Sequence, residues 1–182
     1  MEGKTVVLGV TGGIAAYKAA DLASKLVQAG ATVKTIMTRS ATEFITPLTF
    51  RNLTGQPVVT EMFDLNSEYS VEHVALAEEA DVIVIAPATA NIIARIACGI
   101  ADDPLTCTVL ATEAPVVLAP SMNDNMYKNP VTQENLAKLK NRSFTLVEPE
   151  YGRLASGKIG QGRLADQEKI LQAVTSALEM PR

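Results

Sequence analysis

The chain has 182 residues, of which 47% are hydrophobic and 20% are charged, and its formal net charge is -4 at pH 7. A negative net charge without a run of basic residues excludes the usual nucleic-acid-binding surface, and no apolar run approaches the ~20 residues of a membrane span. The length suits one domain with a full core, and the mean hydropathy of +0.15 hints at apolar contacts between subunits. Cys98 and Cys107 lie in apolar stretches and are interpreted as small buried side chains. No disulfide or metal site is expected, and the chain is assigned to a reducing cytoplasm.

The first forty residues follow the pattern of a β-α-β unit. Residues 4–10 are a β-branched apolar run, a break follows at Gly12 and Gly13, and the composition then predicts a helix over 14–29. The apolar residues spaced for one face of that helix are Ile14, Tyr17, Leu22, Leu26 and Ala29. A second strand is predicted over 31–37, after a glycine that ends the helix.

The glycines after the first strand favour a mononucleotide ligand over a dinucleotide. Their pattern, Gly9-x-x-Gly12-Gly13, is not the Gly-x-Gly-x-x-Gly fingerprint. The second strand is followed by Thr38 and Ser40, whereas a dinucleotide fold places an acid there to bind a ribose. We therefore expect a phosphate or a flavin edge at this helix N-terminus. A generic tight turn between strand and helix is the alternative.

The next part of the chain contains the only histidine. One or two short helices are predicted over 41–53, interrupted by Pro47, and residues 56–70 are interpreted as a long connection without a clear period. His73 lies at the end of that connection, just before a short helical piece at 75–79. Because histidine can move a proton near neutral pH, His73 is a candidate base. A packed or solvated histidine is the alternative.

Polar side chains also follow the most apolar predicted strand, at 81–86. Thr89, Ala90 and Asn91 come after it, and a helix is predicted over 92–98. Their hydroxyl, amide and backbone donors suit a polar ligand chain. The alternative is that Thr89 is an ordinary helix N-cap.

A further predicted strand, at 115–118, ends in the polar stretch 119–126. This stretch contains Ser121, Asn123 and Met126, and it carries two amides, two thioethers and almost no charge. It can therefore bind a polar group without taking up a proton. A loop whose asparagines only cap a turn is the alternative.

The rest of the chain completes an α/β pattern. Helices are predicted over 105–111 and 129–140, a strand over 144–147, and a last helix after Asp166. Residues 150–164, with four glycines and three cations, are interpreted as a mobile flap that closes over an anionic substrate, and an exposed linker is the alternative. The whole pattern predicts a single domain: a Rossmann-like (flavodoxin-like) parallel sheet with helices on both faces, in three layers.

These motifs together resemble the flavin-dependent cysteine decarboxylases, a family that includes the phosphopantothenoylcysteine decarboxylases and the lantibiotic peptide decarboxylases. The matching parts are 11–18, His73, 87–91, 120–126 and the flap, and the resemblance covers residues 4 to about 178. In bacteria such a domain is usually fused to a phosphopantothenoylcysteine synthetase domain. A fused or separate synthetase is therefore an expected partner.

The resemblance implies an FMN cofactor and decarboxylation of a phosphorylated cysteine amide, 4′-phosphopantothenoylcysteine, through thioaldehyde and enethiol intermediates in coenzyme A biosynthesis. It implies His73 as the base, Asn123 as the group that holds carboxylate and amide, and Ser156 at the position of an acid. The residues expected around FMN are Gly12, Gly13, Ile14, Thr38, Ser40, Thr89, Ala90, Asn91 and Ser121. Those expected to contact substrate are Asn123, Met126, Ala155 and Lys158. A homotrimer or homododecamer is also implied.

One residue departs from the family pattern. The coenzyme A enzymes of this family carry Ala-Cys-Gly in the flap, and the cysteine protonates the enethiol, whereas this chain has Ala155, Ser156 and Gly157. A serine hydroxyl is a far weaker acid than a thiol, which calls the final reduction into question.

Three other functions therefore stay open beside the first. They are a peptidyl-cysteine decarboxylase that stops at the enethiol, a non-catalytic flavin-binding regulatory protein of the same fold, and, more distantly, a flavin prenyltransferase. The flap cations Arg153, Lys158 and Arg163 favour a phosphorylated small substrate over a peptide.

Overall fold

A computed structural model describes residues 1–63 and 71–179 of the protein. Within these residues, six strands form one sheet: β1 (Thr5–Val10), β2 (Thr32–Met37), β3 (Val58–Val59), β4 (Val82–Ala88), β5 (Val116–Pro120) and β6 (Thr145–Leu146). Their order is β3-β2-β1-β4-β5-β6, and all neighbours are parallel. This is the strand order of the Rossmann fold rather than the flavodoxin order, and it reverses direction between β1 and β4. The predicted Rossmann-like parallel sheet is confirmed.

Helices cover both faces of this sheet. They are α1 (Lys18–Gln28), α2 (Arg39–Thr42), α3 (Pro47–Thr54), α4 (Glu72–Glu79), α5 (Ala90–Cys98), α6 (Pro104–Ala111), α7 (Asp124–Lys128), α8 (Pro130–Lys140) and α9 (Gln167–Leu178). Helices α1, α3 and α9 pack on one face, and α4, α5, α6 and α8 pack on the other. The predicted three layers are therefore confirmed. Across the described residues, no helix is both long and apolar enough to cross a membrane.

The central strands are buried on both faces, which explains their continuous apolar sequences. In β1, Val6 and Leu8 belong to the core cluster on one face and Val7 to the cluster on the other, and all three are 0% exposed. A strand covered on both sides has no reason to alternate apolar with polar residues. The loops that follow β1 and β4 therefore start from rigid positions.

Several helix ends follow the signals in the sequence. Gly30 and Gly99 end α1 and α5 with φ angles of 86° and 72°, a left-handed conformation that glycine adopts without steric cost. Asn129 and Asp166 cap α8 and α9, each accepting a hydrogen bond from the amide two residues on, at 3.0 and 2.9 Å. The helices predicted over 129–140 and after Asp166 are confirmed.

Two short elements are not predicted by the sequence pattern. Strand β3 has two residues and lies in the predicted connection 56–70, of which 64–70 fall outside the described residues. Helix α7 has five residues and lies mostly within the polar stretch 119–126. Neither element is long enough to show a hydrophobic period.

Two helix boundaries also differ from the predictions. Pro47 begins α3 instead of interrupting a helix, because a proline at the first helical position loses no hydrogen bond. Helix α4 begins at Glu72, earlier than the predicted piece at 75–79. His73 is therefore a helical residue and not the end of an irregular stretch.

The predicted apolar face of the first helix is wrong at both ends. Ala29, which follows the last residue of α1, is exposed. At the start, Ile14 and Tyr17 are each 60% exposed, whereas Leu22 and Leu26 are buried. The cause is that Ile14–Tyr17 forms a 3-10 turn, whose three residues per turn rotate these side chains away from the buried face of α1. The interpretation of Cys98 as buried is also wrong, since its side chain is exposed.

The predicted flap is an antiparallel hairpin outside the main sheet. Its strands are β7 (Glu150–Arg153) and β8 (Ile159–Arg163). The connecting turn is closed by a hydrogen bond from the Leu154 amide to the Lys158 carbonyl, at 2.8 Å. We call β7, the turn and β8 together the hairpin.

Candidate functional site

A cavity of about 1080 Å³ opens at the carboxyl ends of β1, β4 and β5. Its walls come from the loops after β1, β2, β4 and β5 and from the hairpin. The crevice between β1 and β4, where the strand order reverses, is the usual ligand site of open α/β sheets. Ligand pockets commonly measure roughly 300–1,000 Å³, so this cavity has room for a cofactor together with a substrate.

The structure brings most of the predicted site residues together in this cavity. The residues predicted to bind the cofactor all line it: Gly12, Gly13, Ile14, Thr38, Ser40, Thr89, Ala90, Asn91 and Ser121. Asn123, Met126, Ala155 and Ser156 line it as well. Within the described residues, His73 and Lys158 do not. The lining agrees with the predicted positions, while the role of each residue stays a prediction.

Thr11 links the two central loops at the floor of the cavity. Its hydroxyl donates a hydrogen bond to the Pro87 carbonyl at 2.7 Å and accepts one from the Thr89 amide at 3.1 Å. The side chain is 1% exposed. Because a buried hydroxyl with both its donor and acceptor engaged is costly to displace, Thr11 fixes the loop after β1 relative to the loop after β4.

The loop after β2 offers a buried polar atom with no partner among the described residues. This atom is the Thr38 hydroxyl oxygen, on a residue that lines the cavity. A buried polar group without a hydrogen bond costs roughly 1–3 kcal/mol, which a ligand oxygen would recover. The first residues of α5, from Ala90, also line the cavity, so the positive end of its dipole faces a ligand there. These groups fit a cofactor with a phosphate and a hydroxylated chain.

The cavity carries more positive than negative charge, although the whole chain is negative. The cations that line it are Lys18, Arg39, Arg95, Arg153 and Arg163, and the one lining carboxylate among the described residues is Asp103. Arg95 is paired, with its guanidinium 2.8 Å from both Asp102 and Asp103. In residues 1–63 and 71–179, no carboxylate pairs with the other four. The local field therefore attracts anionic ligands.

The side chain of Asn123 is oriented by the start of α7. Its amide oxygen accepts a hydrogen bond from the Asn125 amide at 2.9 Å, which makes Asn123 the N-cap of this helix. The oxygen is therefore engaged, and the NH2 group, with two donors, is left for a ligand. Donors without a charge suit a carboxylate or a carbonyl oxygen.

Helix α7 is short but is held in place by Tyr127, which is 6% exposed. Its hydroxyl donates a hydrogen bond to the Glu148 carboxylate, just before β7, and its backbone carbonyl accepts one from the side-chain amide of Gln133 at 2.5 Å. Burial, together with the Glu148 carboxylate, raises the pKa of Tyr127 well above its usual range. Tyr127 therefore stays protonated and keeps the Asn123 loop fixed to the core.

His73 lies apart from the cavity of its own chain. It is half-buried on α4, which packs against α6. Its neighbours Val71 and Val74 are 47% and 37% exposed. The structure therefore does not bring His73 together with Asn123 and Ser156 within one chain.

Several lining residues are absent from the sequence-based prediction. Lys18 lies four residues after Ile14, which places it one helical turn further on, and Arg39 stands between two predicted cofactor contacts. Tyr17 and Arg95 also line the cavity. A basic residue within a predicted phosphate-binding segment was the available signal for Lys18 and Arg39, whereas Arg95 carries no such signal because it lies inside a predicted helix.

Comparison with known proteins gives the following matches. The chain matches the family model described as Flavoprotein over residues 1–179. It is 47% identical over 171 residues to the coenzyme A biosynthesis bifunctional protein CoaBC of Vibrio vulnificus, covering 94% of this chain and 43% of that protein. The chain therefore spans less than half the length of this curated relative.

Two solved structures are similar along nearly their full length. A cysteine-to-serine variant of PPC decarboxylase, complexed with pantothenoylaminoethenethiol, has a TM-score of 0.85 and 32% identity, covering 97% of this chain and 99% of that one. The FMN-dependent cysteine decarboxylase SpaF has a TM-score of 0.80 and 35% identity, covering 94% and 98%. The cavity, the sheet topology and these matches agree, and the chain belongs to the flavoprotein family, together with PPC decarboxylase and the cysteine decarboxylases.

Proposed function

We propose that this protein is an FMN-dependent carboxy-lyase that decarboxylates 4′-phosphopantothenoylcysteine, a phosphorylated small-molecule cysteine amide of coenzyme A biosynthesis. The observation that carries the proposal is that mononucleotide-type loops, the Asn123 amide and a basic hairpin all line one cavity. The similar proteins support it, because one is a coenzyme A biosynthesis protein and another is PPC decarboxylase complexed with an enethiol.

FMN is the proposed cofactor because the Thr38 hydroxyl, which has no hydrogen-bond partner in the described part of the chain, and the start of α5 suit a phosphate with a hydroxylated chain. Two similar solved structures are an FMN-dependent cysteine decarboxylase and the FMN-binding protein AtHal3. The chemistry supplied by bound FMN is removal of two electrons from the substrate thiol, which creates the electron sink that loss of CO2 requires. The residues that would hold it are Gly12, Gly13, Ile14, Thr38, Ser40, Thr89, Ala90, Asn91 and Ser121.

Asn123 is proposed to hold the carboxylate that leaves. Its oxygen caps α7, which leaves its NH2 group available to a ligand. A neutral donor binds a carboxylate without stabilising its charge as strongly as an arginine would, which matters because that charge is lost in the reaction. Met126, which is 49% exposed and lines the cavity, is proposed to shape the adjoining wall together with Ala155.

The hairpin is proposed to be the substrate flap, with Arg153 and Arg163 binding the substrate phosphate. Both line the cavity, and neither has a carboxylate partner among the described residues. Lys158 lies outside the lining, so a direct phosphate contact is assigned to the two arginines instead. The test compares KM for phosphorylated and unphosphorylated pantothenoylcysteine. Arg153→Gln with Arg163→Gln should raise KM only for the phosphorylated compound, and Arg142→Gln, on an exposed residue after α8, is the control.

His73 is proposed to act as the base from a neighbouring subunit, in a homotrimer or a homododecamer. The support is that His73 lies outside its own cavity, beside exposed Val71 and Val74, while the cavity mouth exposes Ile14 and Tyr17. Contact between such apolar surfaces would bury both and would complete the site. A clean monomer in light scattering at micromolar concentration would contradict this assembly.

The source of the substrate and the cellular location of the protein are proposed from the relatives and from the cysteines. The Vibrio vulnificus relative is bifunctional and longer than this chain. A phosphopantothenoylcysteine synthetase, fused or separate, is therefore the proposed partner that provides the substrate. Both cysteines are free, which suits a reducing cytoplasm.

A second candidate function is oxidative decarboxylation of a peptidyl cysteine, and the observation that favours it is Ser156. The residue lines the cavity at the turn of the hairpin, and its hydroxyl is a poor acid. Decarboxylation without the final protonation would stop at an enethiol.

The deciding experiment is a product mass measured with 4′-phosphopantothenoylcysteine, under air and under anaerobic conditions. Loss of CO2 from this compound supports the proposed substrate. A protein loaded with FMN that leaves the compound unchanged, yet decarboxylates a peptide with a C-terminal cysteine, would establish the second candidate instead.

A further inference from the structure

Strand β8 of the hairpin lies directly against the loop that carries Asn123. The Gly162 carbonyl accepts a hydrogen bond from the Met122 amide at 2.9 Å. The Gln161 amide donates one to a carboxylate oxygen of Asp124, also at 2.9 Å. Two hydrogen bonds, made by the adjacent residues Gln161 and Gly162 of β8, therefore join the hairpin to this loop on both sides of Asn123.

Two glycines of β8 make this close approach possible. A Cβ atom at Gly160 would lie 2.7 Å from Cγ of Asp124. At Gly162 it would overlap the Met122 carbonyl oxygen, and the backbone there has a φ of 145°, which side chains rarely adopt. Glycine at both positions therefore lets the backbone of β8 rest on the loop without a side chain between them.

Asp124 is well suited to hold this contact. Its carboxylate is also 3.0 Å from Lys128, one helical turn further along α7. The hydrogen bond from Lys128 lowers the pKa of Asp124, and the Gln161 amide lowers it further. The group is therefore ionised near neutral pH, and an ionised acceptor makes a stronger hydrogen bond than a neutral one.

We infer that Asp124 is a positioning residue that fastens the hairpin to the substrate-binding loop. The base of the hairpin is then fixed, and movement over a ligand is confined to its turn, residues 154–158, which includes Ser156. Asp124 thereby sets where Ser156 can lie relative to Asn123. The inference rests on the proposed function only in assuming that these two residues face the same substrate.

The test is hydrogen–deuterium exchange of the FMN-loaded protein, followed in peptides that contain the Gln161 and Met122 amides. Loss of one hydrogen bond is worth roughly 1 kcal/mol, so Asp124→Ala should speed exchange of these amides about five- to tenfold. Asp124→Asn keeps a neutral and therefore weaker acceptor oxygen, so its exchange should lie between that of Asp124→Ala and that of the wild type. If Asp124→Ala exchanges like the wild type, or if Asp124→Asn is as fast as Asp124→Ala, the inference is wrong.

Two control variants separate this contact from others of the same kind. Lys128→Met removes the ion pair but not the Gln161 bond, so hairpin exchange should stay unchanged. Asp166→Ala removes a similar carboxylate–amide bond at the start of α9 and should also leave the hairpin unchanged. Faster hairpin exchange in Lys128→Met would show that the ion pair, and not the acceptor, holds the hairpin.

An activity measurement provides the second readout. With 4′-phosphopantothenoylcysteine, Asp124→Ala should raise KM about tenfold and retain FMN, and Asp124→Asn should raise KM less than Asp124→Ala does. A kcat/KM unchanged in Asp124→Ala while hairpin exchange increases would contradict the positioning role. If the wild type does not decarboxylate this compound, the proposed substrate fails, but the exchange results still decide whether Asp124 holds the hairpin.

Discussion

Gly12 lies so close to Ser40 that no side chain fits at the position of Gly12. A Cβ atom at Gly12 would overlap the Cβ of Ser40 and lie 2.8 Å from its backbone carbonyl carbon. The neighbouring Gly13 is different, since a Cβ there would meet Thr89 at 3.7 Å, an ordinary contact. Of the two glycines, only Gly12 therefore packs tightly against the loop that follows β2.

Gly12→Ala is expected to destabilise the FMN-free protein by about 1–3 kcal/mol, because the added methyl group must push the Ser40 backbone away. Gly13→Ala, the matched control, should cost less than about 1 kcal/mol. The measurement is the free energy of unfolding from urea titration. Flavin fluorescence should also show weaker FMN binding for Gly12→Ala. Equal stabilities for the two variants would contradict the structure of this contact.

Asn123→Asp is expected to abolish decarboxylation while α7 keeps its N-cap. Aspartate caps a helix as well as asparagine does, but it replaces two donors with a charge that repels the substrate carboxylate. Loss of one preorganised donor costs ~10²–10³ in rate at other active sites, and a comparable loss of CO2 release is expected here. Asn129→Asp makes the same change at the N-cap of α8, away from the cavity, and should remain active. An active Asn123→Asp variant would exclude the proposed carboxylate contact.

His73→Asn is expected to retain FMN and to lose CO2 release by ~10²–10⁴-fold, as is typical when a general base is removed. Its FMN content should equal that of the wild type because His73 is not among the residues proposed to hold FMN. A wild-type rate would mean that His73 has only a structural role.

Mixing two inactive variants tests whether the site is shared between subunits. His73→Asn and Asn123→Asp, dissociated together and reassembled, should regain part of the activity, because some sites then receive both intact residues. Each variant reassembled alone is the control. No recovery in a mixture that demonstrably exchanges subunits would contradict the placement of His73 in a neighbouring cavity.

Ser156→Cys is expected to change the product rather than the loss of CO2. A thiol with a pKa of about 8.5 can donate a proton at neutral pH, whereas an alcohol cannot do so readily. The wild type should therefore release the enethiol. It should also need an external oxidant such as dioxygen, because the two electrons removed from each substrate molecule are not returned to the product. The variant should form 4′-phosphopantetheine without oxygen, as measured by product mass.

The control for that experiment is Ser176→Cys, which adds a thiol on an exposed part of α9. It should behave like the wild type. Anaerobic formation of 4′-phosphopantetheine by the wild type at full rate would show that another acid acts, and Tyr151 or Lys158 in the hairpin would be tested next.

The sequence predicts the elements that depend on neighbouring residues. Apolar runs such as 81–86 are strands because both faces of the central sheet are covered. Gly30 ends one helix through its left-handed φ angle, and Asn129 begins another through its capping hydrogen bond. The positions of Thr38 and Thr89 at one cavity follow as well, since parallel strands end at the same edge of a sheet.

Features that depend on distant contacts could not be predicted in this way. The hairpin is stabilised through Asp124, which lies 37 residues before Gln161, and no local pattern indicates that bond. Ile14 and Tyr17 have apolar side chains that fit a helical face, but the 3-10 turn exposes them. His73 has a residue type that indicates chemistry, but its distance from the cavity depends on the packing of α4.

The hydrogen bonds of Thr11 to Pro87 and Thr89 have a consequence for the cofactor-free form of the protein. They join the two central loops using only atoms of the chain, so the floor of the cleft is complete once the sheet has formed. Cofactor uptake then needs little reordering of the backbone and can follow folding instead of accompanying it. The newly synthesised chain would therefore fold without the cofactor and bind it afterwards. If the cofactor dissociated, the folded chain could bind it again.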